Sequence, residues 1–186
     1  IYVFQKNGTY IDIGSNHSKN SNNSFYFDNE LDWKGICVEI YSFYNETYNN
    51  RKNCTYINQD ALKVDYKNLF DSVFENKLID YLSIDIDQLS LDVLKLLPID
   101  YEYKVITIEH DFYLIGENLR NQQRDILKNR GYLLLCSNVF VGEHYEDKRP
   151  FEDWWINPKY FDEEIIQKIK CDMEFPQKIA SKFDGH

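Results

Sequence analysis

Apolar runs alternate with amphipathic stretches along most of the chain. Short runs rich in β-branched and aromatic residues predict strands at residues 9–13, 35–40, 54–58, 78–86 and 103–108. Between and after them, apolar residues at helical spacing predict helices at 24–31, 41–51, 66–75, 89–97 and 117–130. Gly131 follows the last of these and is expected to cap it. This alternation of strand and helix predicts a parallel sheet with helices on both faces.

The C-terminal part of the chain departs from this alternation. Runs at 132–136 and 139–141 flank Ser137 and Asn138, which predicts a tight hairpin with an antiparallel arm. We expect residues 150–158 to form an aromatic loop and residues 162–170 a final helix. The predicted fold class is α/β: a doubly wound, mostly parallel seven-stranded sheet with an antiparallel last strand.

Size and charge narrow the class of protein. The chain has 186 residues, so we expect a single domain over residues 1–186, and its first strand near residue 1 suggests a domain cut from a longer protein. The net charge of −10 argues against nucleic acid as the partner. With no signal peptide or membrane-spanning run in view, we expect a cytoplasmic location and no membrane contact. None of the four cysteines is in CxxC spacing, and we expect them to be buried and reduced: Cys37, Cys54, Cys136 and Cys171.

The segment TYIDIGSN, residues 9–16, organises the functional hypothesis. A buried strand runs into Gly14 and then into small polar residues. Glycine allows the backbone to approach a ligand closely, and the loop that follows offers free N–H groups. The segment has one glycine and is not a GxGxxG fingerprint, so the prediction of a nucleotide-type cofactor site also depends on acidic residues after the next strands.

Acidic residues end the second and third predicted strands. Glu39 follows a buried strand, where a carboxylate accepts hydrogen bonds from ribose hydroxyls; a solvated acid is the alternative. Asp60 follows the third strand, where it is placed either to accept from an adenine amino group or to have no role in binding.

A second acidic group follows the fourth and fifth strands. Asp85 interrupts an apolar run, so a metal, a cation or a helix terminus is expected to compensate it, and Asp87 is a candidate for function or for N-capping. With Glu109 and His110 after the neighbouring strand, Asp85 would supply two oxygens and one nitrogen for Mg²⁺ or Mn²⁺. The alternative is a hydrogen-bonded pocket histidine without metal. His17 and His144 are further candidates, more typical of loop residues.

Together these segments resemble the FkbM family of S-adenosylmethionine-dependent methyltransferases. The segments that carry the resemblance are GTYIDIGSN, LDWKGICVEIY, DYLSIDID, YKVITIEHD and PFEDWW, over about residues 8–162. The resemblance implies a class I methyltransferase sheet and methyl transfer to oxygen, with sugar hydroxyls as the prominent acceptors. The chain departs from the family pattern at His17-Ser18, where an Asp-Gly pair is usual.

The resemblance also implies roles in binding the cofactor. The methionine end would be lined by Asp12, Gly14, Ser15 and Asn16. Glu39 would hold the ribose, and Asp60 with Ala61 would meet the adenine. Asp85 would lie beside the amino acid portion or the reacting centre. A more distant similarity to catechol-type O-methyltransferases, which place metal ligands after the fourth and fifth strands, also suggests a metal.

An acceptor hydroxyl needs a general base, or a metal that lowers its pKa. His110 is the first candidate for base or ligand, with Asp85 or Glu109 as its partner. The aromatic residues Phe151, Trp154 and Trp155 would form a wall against a sugar ring or a hydrophobic plug for the last helix.

Two other classes of protein stay open. Asp85-Ile86-Asp87 is a DxD motif, as a Mn²⁺-dependent nucleotide-sugar glycosyltransferase would use. A non-catalytic cofactor-binding module is the other. The sequence leaves the oligomeric state open.

Overall fold

The computed structural model describes residues 6–140 and 150–169. Within these ranges the chain forms seven strands: Thr9–Ile13 (β1), Lys34–Glu39 (β2), Cys54–Asn58 (β3), Leu78–Ile84 (β4), Glu102–Glu109 (β5), Leu133–Phe140 (β6) and Pro150–Ile156 (β7). It also forms six α-helices: Phe25–Leu31 (α1), Tyr66–Val73 (α2), Ser90–Leu96 (α3), Phe112–Ile115 (α4), Glu117–Asn129 (α5) and Glu163–Ile169 (α6).

All seven strands belong to one sheet in the order β3-β2-β1-β4-β5-β7-β6. The first five pair in parallel, and β7 runs antiparallel between β5 and β6. The predicted fold class is confirmed, including the antiparallel last strand. Because β1 and β4 are neighbours at the reversal of strand order, their carboxyl ends open onto the crevice where ligands bind in such sheets.

The predicted hairpin at 132–141 is wrong. Its described residues form the single strand β6, whose register with β7 shifts near Asn138. Asn138 has φ 55° and donates its N–H to Asp153 Oδ1 at 2.8 Å, so a left-handed residue makes a bulge where a turn was expected. The predicted aromatic loop at 150–158 is also wrong, because burial of Trp155 draws most of it into β7.

The remaining boundaries differ by small amounts. The predicted helix at 41–51 is a 3₁₀-helix, Ser42–Asn50, and α4 was not predicted. The Gly131 cap is confirmed: its φ is +86°, and its N–H bonds the Lys128 carbonyl at 2.9 Å. No helix in residues 6–140 and 150–169 is both long and apolar enough to cross a bilayer.

The sheet separates two layers of apolar side chains. In β1, Ile11 and Ile13 face the larger layer with α2, α3 and α5, while Tyr10 faces a smaller layer with α1. Three of the four cysteines are described: Cys37 and Cys136 are buried, as predicted, and Cys54 is half-buried. Cys37 and Cys54 are free thiols. Cys171 lies outside the described residues.

Candidate functional site

Gly14 joins the carboxyl ends of β1, β2 and β4. Its N–H donates to the Val38 carbonyl at 2.9 Å, and the Asp85 N–H donates to the Ile13 carbonyl at 2.9 Å. Gly14 has φ +82°, and a Cβ added there would lie 1.9 Å from the Asp85 carbonyl oxygen. Only glycine fits this position, so the backbone after β1 approaches the β4 loop as closely as the sequence pattern predicted.

The loop after β1 is held by its own polar groups. Ser15 is buried, and its Oγ accepts a hydrogen bond from the Tyr48 hydroxyl at 2.7 Å. The same hydroxyl lies 2.9 Å from the Asn16 carbonyl oxygen. His17 Nδ1 accepts the Lys19 N–H at 3.1 Å, so His17 closes the loop as a structural residue. His144 lies outside the described residues.

Arg51 anchors the same loop from beneath, and the sequence analysis missed it. Its guanidinium is 3% exposed, pairs with Asp28, and donates to the Ser18 carbonyl at 2.8 Å and to Asn22 Oδ1 at 3.1 Å. It also reaches the Tyr10 hydroxyl in β1 at 2.8 Å. A single arginine in a polar stretch has no pattern that reveals such a role.

Asp12 is fully buried beside this loop. Its Oδ2 accepts the Ser24 hydroxyl at 2.7 Å, and its Oδ1 has no hydrogen-bond partner among the described residues. Burial raises the pKa of Asp12 to about 7, although the Ser24 hydrogen bond acts against the rise. A buried acceptor without a partner, next to a ligand-binding loop, fits a site that a bound molecule completes.

Glu39, at the end of β2, lies against the same loop. Its Oε2 accepts the Asn16 N–H at 2.8 Å and its Oε1 the Tyr41 N–H at 2.9 Å. The side chain is 6% exposed. Each oxygen retains a lone pair, so the carboxylate is oriented by the protein and can still accept from a ligand hydroxyl.

Asp60 and Ala61 follow β3, the outer neighbour of β2. Asp60 caps a short 3₁₀-helix by accepting the Leu62 N–H at 3.0 Å, and it lies 3.3 Å from the Lys63 ammonium. The Leu62 N–H, followed by Lys63, lowers the pKa of Asp60. Both predicted adenine contacts therefore lie at the same edge as Glu39, although the Asp60 carboxylate already has a structural partner.

Asp85 and Glu109 come together at the ends of β4 and β5, as predicted. Asp85 is half-buried, Glu109 is 4% exposed, and their carboxyl groups share a hydrogen bond. Burial raises the pKa of both, and that of Glu109 reaches about 9 because Asp85 repels its charge. Asn23, from the loop after β1, lies 3.4 Å from Asp85 Oδ2, which connects the two halves of the site.

Three carboxylates are close enough to share a cation. One oxygen from each of Asp87, Glu109 and Asp111 lies within 4.8 Å of the others. The Asp87 side chain is exposed, and its N–H donates to Glu109 Oε2 at 2.5 Å, so Asp87 is not the N-cap that was considered. Asp111 is 1% exposed, and its Oδ2 has no hydrogen-bond partner in the described part of the chain.

His110 lies outside this group. Its ring is fully buried; Nδ1 accepts the Phe112 N–H at 3.2 Å, and Nε2 faces Asp153 Oδ1 at 3.5 Å. The His110 ring is directed toward Asp153 of β7, whereas the carboxylates of Glu109 and Asp111 are directed toward Asp87. The sequence grouped Asp85, Glu109 and His110 as metal ligands, whereas the structure brings Glu109 together with Asp87 and Asp111. Asp87 had been a candidate for function or N-capping, and Asp111 had not been selected.

The aromatic residues of β7 pack inside the protein. Trp155 is fully buried in the main core, and Trp154 packs with Ile166 of α6 in a second cluster. The Phe151 carbonyl accepts the N–H groups of His110 and Asp111 at 2.9 and 3.2 Å. The two tryptophans thus match the hydrophobic plug considered above.

No protein-family model matches this chain, and no curated protein matches it. Solved structures do. The Methanococcus jannaschii fibrillarin pre-rRNA processing protein is 15% identical with a TM-score of 0.56 over 84% of this chain and 69% of its own. M. capricolum TrmK, in complex with S-adenosylhomocysteine, is 18% identical with a TM-score of 0.53 over 88% of this chain and 70% of its own.

The Aeropyrum pernix fibrillarin, solved with natively bound S-adenosylmethionine, has a TM-score of 0.53 at 11% identity, over 84% of this chain and 69% of its own. The chain has the class I methyltransferase fold. At these identities the similarity shows the fold alone. The FkbM subfamily is not confirmed by these comparisons.

Proposed function

We propose that this chain is an S-adenosylmethionine-dependent methyltransferase that methylates a hydroxyl oxygen of a carbohydrate. The observation that carries the proposal is the Gly14 position: a backbone without room for a Cβ, between Asp85 and a loop whose Asn16 N–H is held by Glu39. The class I fold and the neighbours solved with this cofactor or its product support it.

The residues around Gly14 fit the cofactor. Ser15 and Asn16 lie in the loop, and Glu39 presents an oriented carboxylate to a ribose. Asp60 and Ala61 extend the edge toward an adenine. The bound cofactor supplies a sulfonium methyl group, already activated for transfer to a nucleophile.

We assign deprotonation of the acceptor hydroxyl to the residues at the end of β4. Asp85 is half-buried and accessible from the crevice, so its carboxylate is placed to take the proton of an attacking hydroxyl. Glu109, buried behind it and hydrogen-bonded to it, orients that carboxylate. Holding the acceptor in line with the methyl group supplies much of the rate.

The described residues offer one place for a divalent cation. Mg²⁺ or Mn²⁺ would be held by Asp87, Glu109 and Asp111, whose oxygens lie within 4.8 Å of one another, and it would lower the pKa of a bound hydroxyl. The unpartnered Oδ2 of buried Asp111 supports this ligand set. Turnover that persists unchanged in EDTA would remove the ion from the proposal.

The test is methyl transfer from S-adenosylmethionine labelled in its methyl group. The purified chain is incubated with a panel of mono- and oligosaccharides, with Mg²⁺, with Mn²⁺ and with EDTA. Label incorporated into a sugar, and lost with Asp85→Asn, is the expected result. Label in none of the sugars but in an RNA or a protein would contradict the acceptor class.

The alternative function, a Mn²⁺-dependent nucleotide-sugar glycosyltransferase, is based on the DxD motif Asp85-Ile86-Asp87 and can be tested by ligand binding. Asp87 of that motif is exposed and left-handed, with φ 52°. A Mn²⁺-dependent glycosyltransferase would bind a nucleotide sugar with Mn²⁺ and would not bind S-adenosylhomocysteine. A non-catalytic module would bind S-adenosylhomocysteine and label no acceptor.

A further inference from the structure

Asp153 is a buried carboxylate that the proposed reaction does not use. It lies in β7, is 1% exposed, and receives two hydrogen bonds from Arg124 of α5, at 2.7 and 2.8 Å. Its Oδ1 also accepts the Asn138 N–H of the β6 bulge at 2.8 Å. Burial raises its pKa, but hydrogen bonding with Arg124 and then His110 outweighs burial and lowers it to about 2. Asp153 is therefore a permanent charge fixed by a planar, bidentate partner.

His110 connects this charge to the acid-bearing turn. Its Nδ1 accepts the Phe112 N–H at 3.2 Å, which leaves the proton on Nε2, facing Asp153 Oδ1 at 3.5 Å. The His110 N–H is itself bonded to the Phe151 carbonyl of β7 at 2.9 Å. Nδ1 is therefore held by a hydrogen bond within the turn, while Nε2 lies opposite the Asp153 carboxylate without a closer partner among the described residues. His110 stands directly between Glu109 and Asp111 in the chain.

Helix α5 reaches the same turn by neighbouring side chains. Gln123 is 1% exposed and donates to the Glu109 carbonyl at 2.9 Å. Arg120 stacks over the Phe112 ring at 4.0 Å and donates to Asn138 Oδ1 at 2.7 Å. With Arg124, three residues of one helix face therefore contact either the turn or Asp153.

The turn needs such support because its geometry is unfavourable by itself. Asp111 is left-handed, with φ 47°, and it is followed by the four-residue helix α4. The turn also brings the carboxyl groups of Glu109 and Asp111 within 4.8 Å of each other. Contacts from outside the turn therefore hold both a left-handed residue and two crowded acids in place.

We propose that Asp153, held by Arg124, is a positioning residue that fixes His110 and, through it, the turn that carries Glu109 and Asp111. The effect of Asp153 on methyl transfer rests on the proposed function. The effect of Asp153 on the conformation of the turn does not. The sequence suggested His110 as the catalyst, but in this account it has a structural role. It links the turn on the acceptor side of the site to Asp153 of β7, which Arg124 of α5 holds.

Amide hydrogen exchange by NMR on the full chain tests this directly. In Asp153→Asn and in Arg124→Lys, we expect the amides of His110, Asp111 and Phe112 to exchange at least tenfold faster relative to those of Ile11 and Val38. Loss of global stability alone would accelerate both groups equally. Equal acceleration would overturn the proposal, and Arg124→Lys keeps it testable if Asp153→Asn does not fold.

Asp80→Asn is the matched control. Asp80 is a carboxylate in β4 that pairs with Lys104 at 2.6 Å and accepts the Thr9 N–H at 2.8 Å, at the start of β1. Its loss should accelerate exchange near Thr9 and leave the turn unchanged. Selective acceleration of the turn in Asp80→Asn would mean that the turn responds to any loss of charge in the sheet, and would contradict the proposal.

A second readout separates this proposal from the proposed function. S-adenosylhomocysteine binds on the β1 and β2 side in our account, so Asp153→Asn should leave its Kd within twofold, while turnover on the sugar acceptor that the wild type methylates falls at least tenfold. Unchanged turnover with a loosened turn would remove the catalytic consequence. Failure of the wild-type chain to bind S-adenosylhomocysteine would remove the proposed function and leave the exchange result standing.

Discussion

Gly14 and Gly116 both have a positive φ, yet their surroundings differ. Gly14 has φ +82° and would place a Cβ 1.9 Å from the Asp85 carbonyl oxygen, whereas Gly116 has φ +79° and nothing within 4 Å of such an atom. Comparing the two glycines therefore separates the effect of backbone strain from the effect of a close contact with a neighbouring backbone. Only the close approach belongs to the candidate cofactor site.

Gly14→Ala should therefore destabilise the protein by about 3 kcal/mol or more and abolish S-adenosylhomocysteine binding, because a backbone atom must move to admit the methyl group. Gly116, with φ +79° and ψ −166°, has a backbone conformation essentially restricted to glycine, so Gly116→Ala should cost about 1–3 kcal/mol from backbone strain alone and leave S-adenosylhomocysteine binding unchanged. Urea denaturation and calorimetry measure both quantities. Equal effects of the two substitutions would contradict the close approach at Gly14.

Glu39 gives a prediction about affinity. Glu39→Gln retains the size of the side chain but removes its charge and one of its acceptors, so the Asn16 and Tyr41 N–H groups can no longer both be satisfied. We expect the Kd for S-adenosylhomocysteine to rise about tenfold or more. Glu102→Gln, in a strand end bonded to Lys159 and Tyr160, is the control and should leave the Kd unchanged.

Asp12 gives a prediction about pH. Burial raises its folded-state pKa from 3.8 to about 7, so its protonated form is favoured by folding. Its contribution to stability is complete below about pH 4 and is lost as the pH rises toward 7. Asp12→Asn should remove this loss, so that the variant gains about 3 kcal/mol on wild type between pH 4.5 and 7.5. Urea midpoints across that range measure it; parallel curves for the two proteins would contradict the assignment.

At the scale of the element, the loop after β1 depends on a residue outside it. Arg51 links the loop to α1 and β1 by contacts with Ser18, Asn22, Asp28 and Tyr10. Arg51→Lys keeps the charge but cannot reproduce the planar fork. We expect a loss of about 2–3 kcal/mol in stability and weaker S-adenosylhomocysteine binding. Arg130→Lys, at an exposed position, should change neither.

The elements also show what the sequence could reveal. Parallel strands β1 to β5 were predicted within two residues because continuous apolar runs bounded by helices specify buried parallel strands. β6 and β7 were not, because they pair over a long separation and their register is set by tertiary contacts such as Asn138 with Asp153. Period-2 alternation is weak in FEDWWIN, since Trp154 and Trp155 both pack inside.

The candidate site was predictable to the same extent: the positions of residues after strands could be predicted from the sequence, and their side-chain contacts could not. Glu39, Asp85 and Glu109 were found from their position after buried strands, since parallel topology brings such residues to one edge. The residues that support the surrounding loops were not predicted: Arg51, Gln123, Arg124 and Asp153 act through side-chain contacts that no sequence spacing encodes. His110 was placed after the correct strand, but the face to which its ring turns depends on β7.

At the scale of the whole molecule, charge distinguishes possible acceptors. The fibrillarin to which this fold is similar is a pre-rRNA processing protein, yet this chain carries a net charge of −10 and groups carboxylates at the ends of β4 and β5. Phosphate backbones require a basic surface. We expect no RNA binding at 150 mM salt in a filter-binding assay, with fibrillarin as the positive control. Submicromolar RNA binding would contradict the proposed acceptor class.

The central claim is that the crevice beside Gly14 binds S-adenosylmethionine. Calorimetric titration of S-adenosylhomocysteine into the purified chain, with Mg²⁺, with Mn²⁺ and with EDTA, tests it most directly. The account predicts micromolar binding in all three conditions, with any ion confined to the acceptor side. Absence of binding in all three, with the protein folded, would contradict the claim.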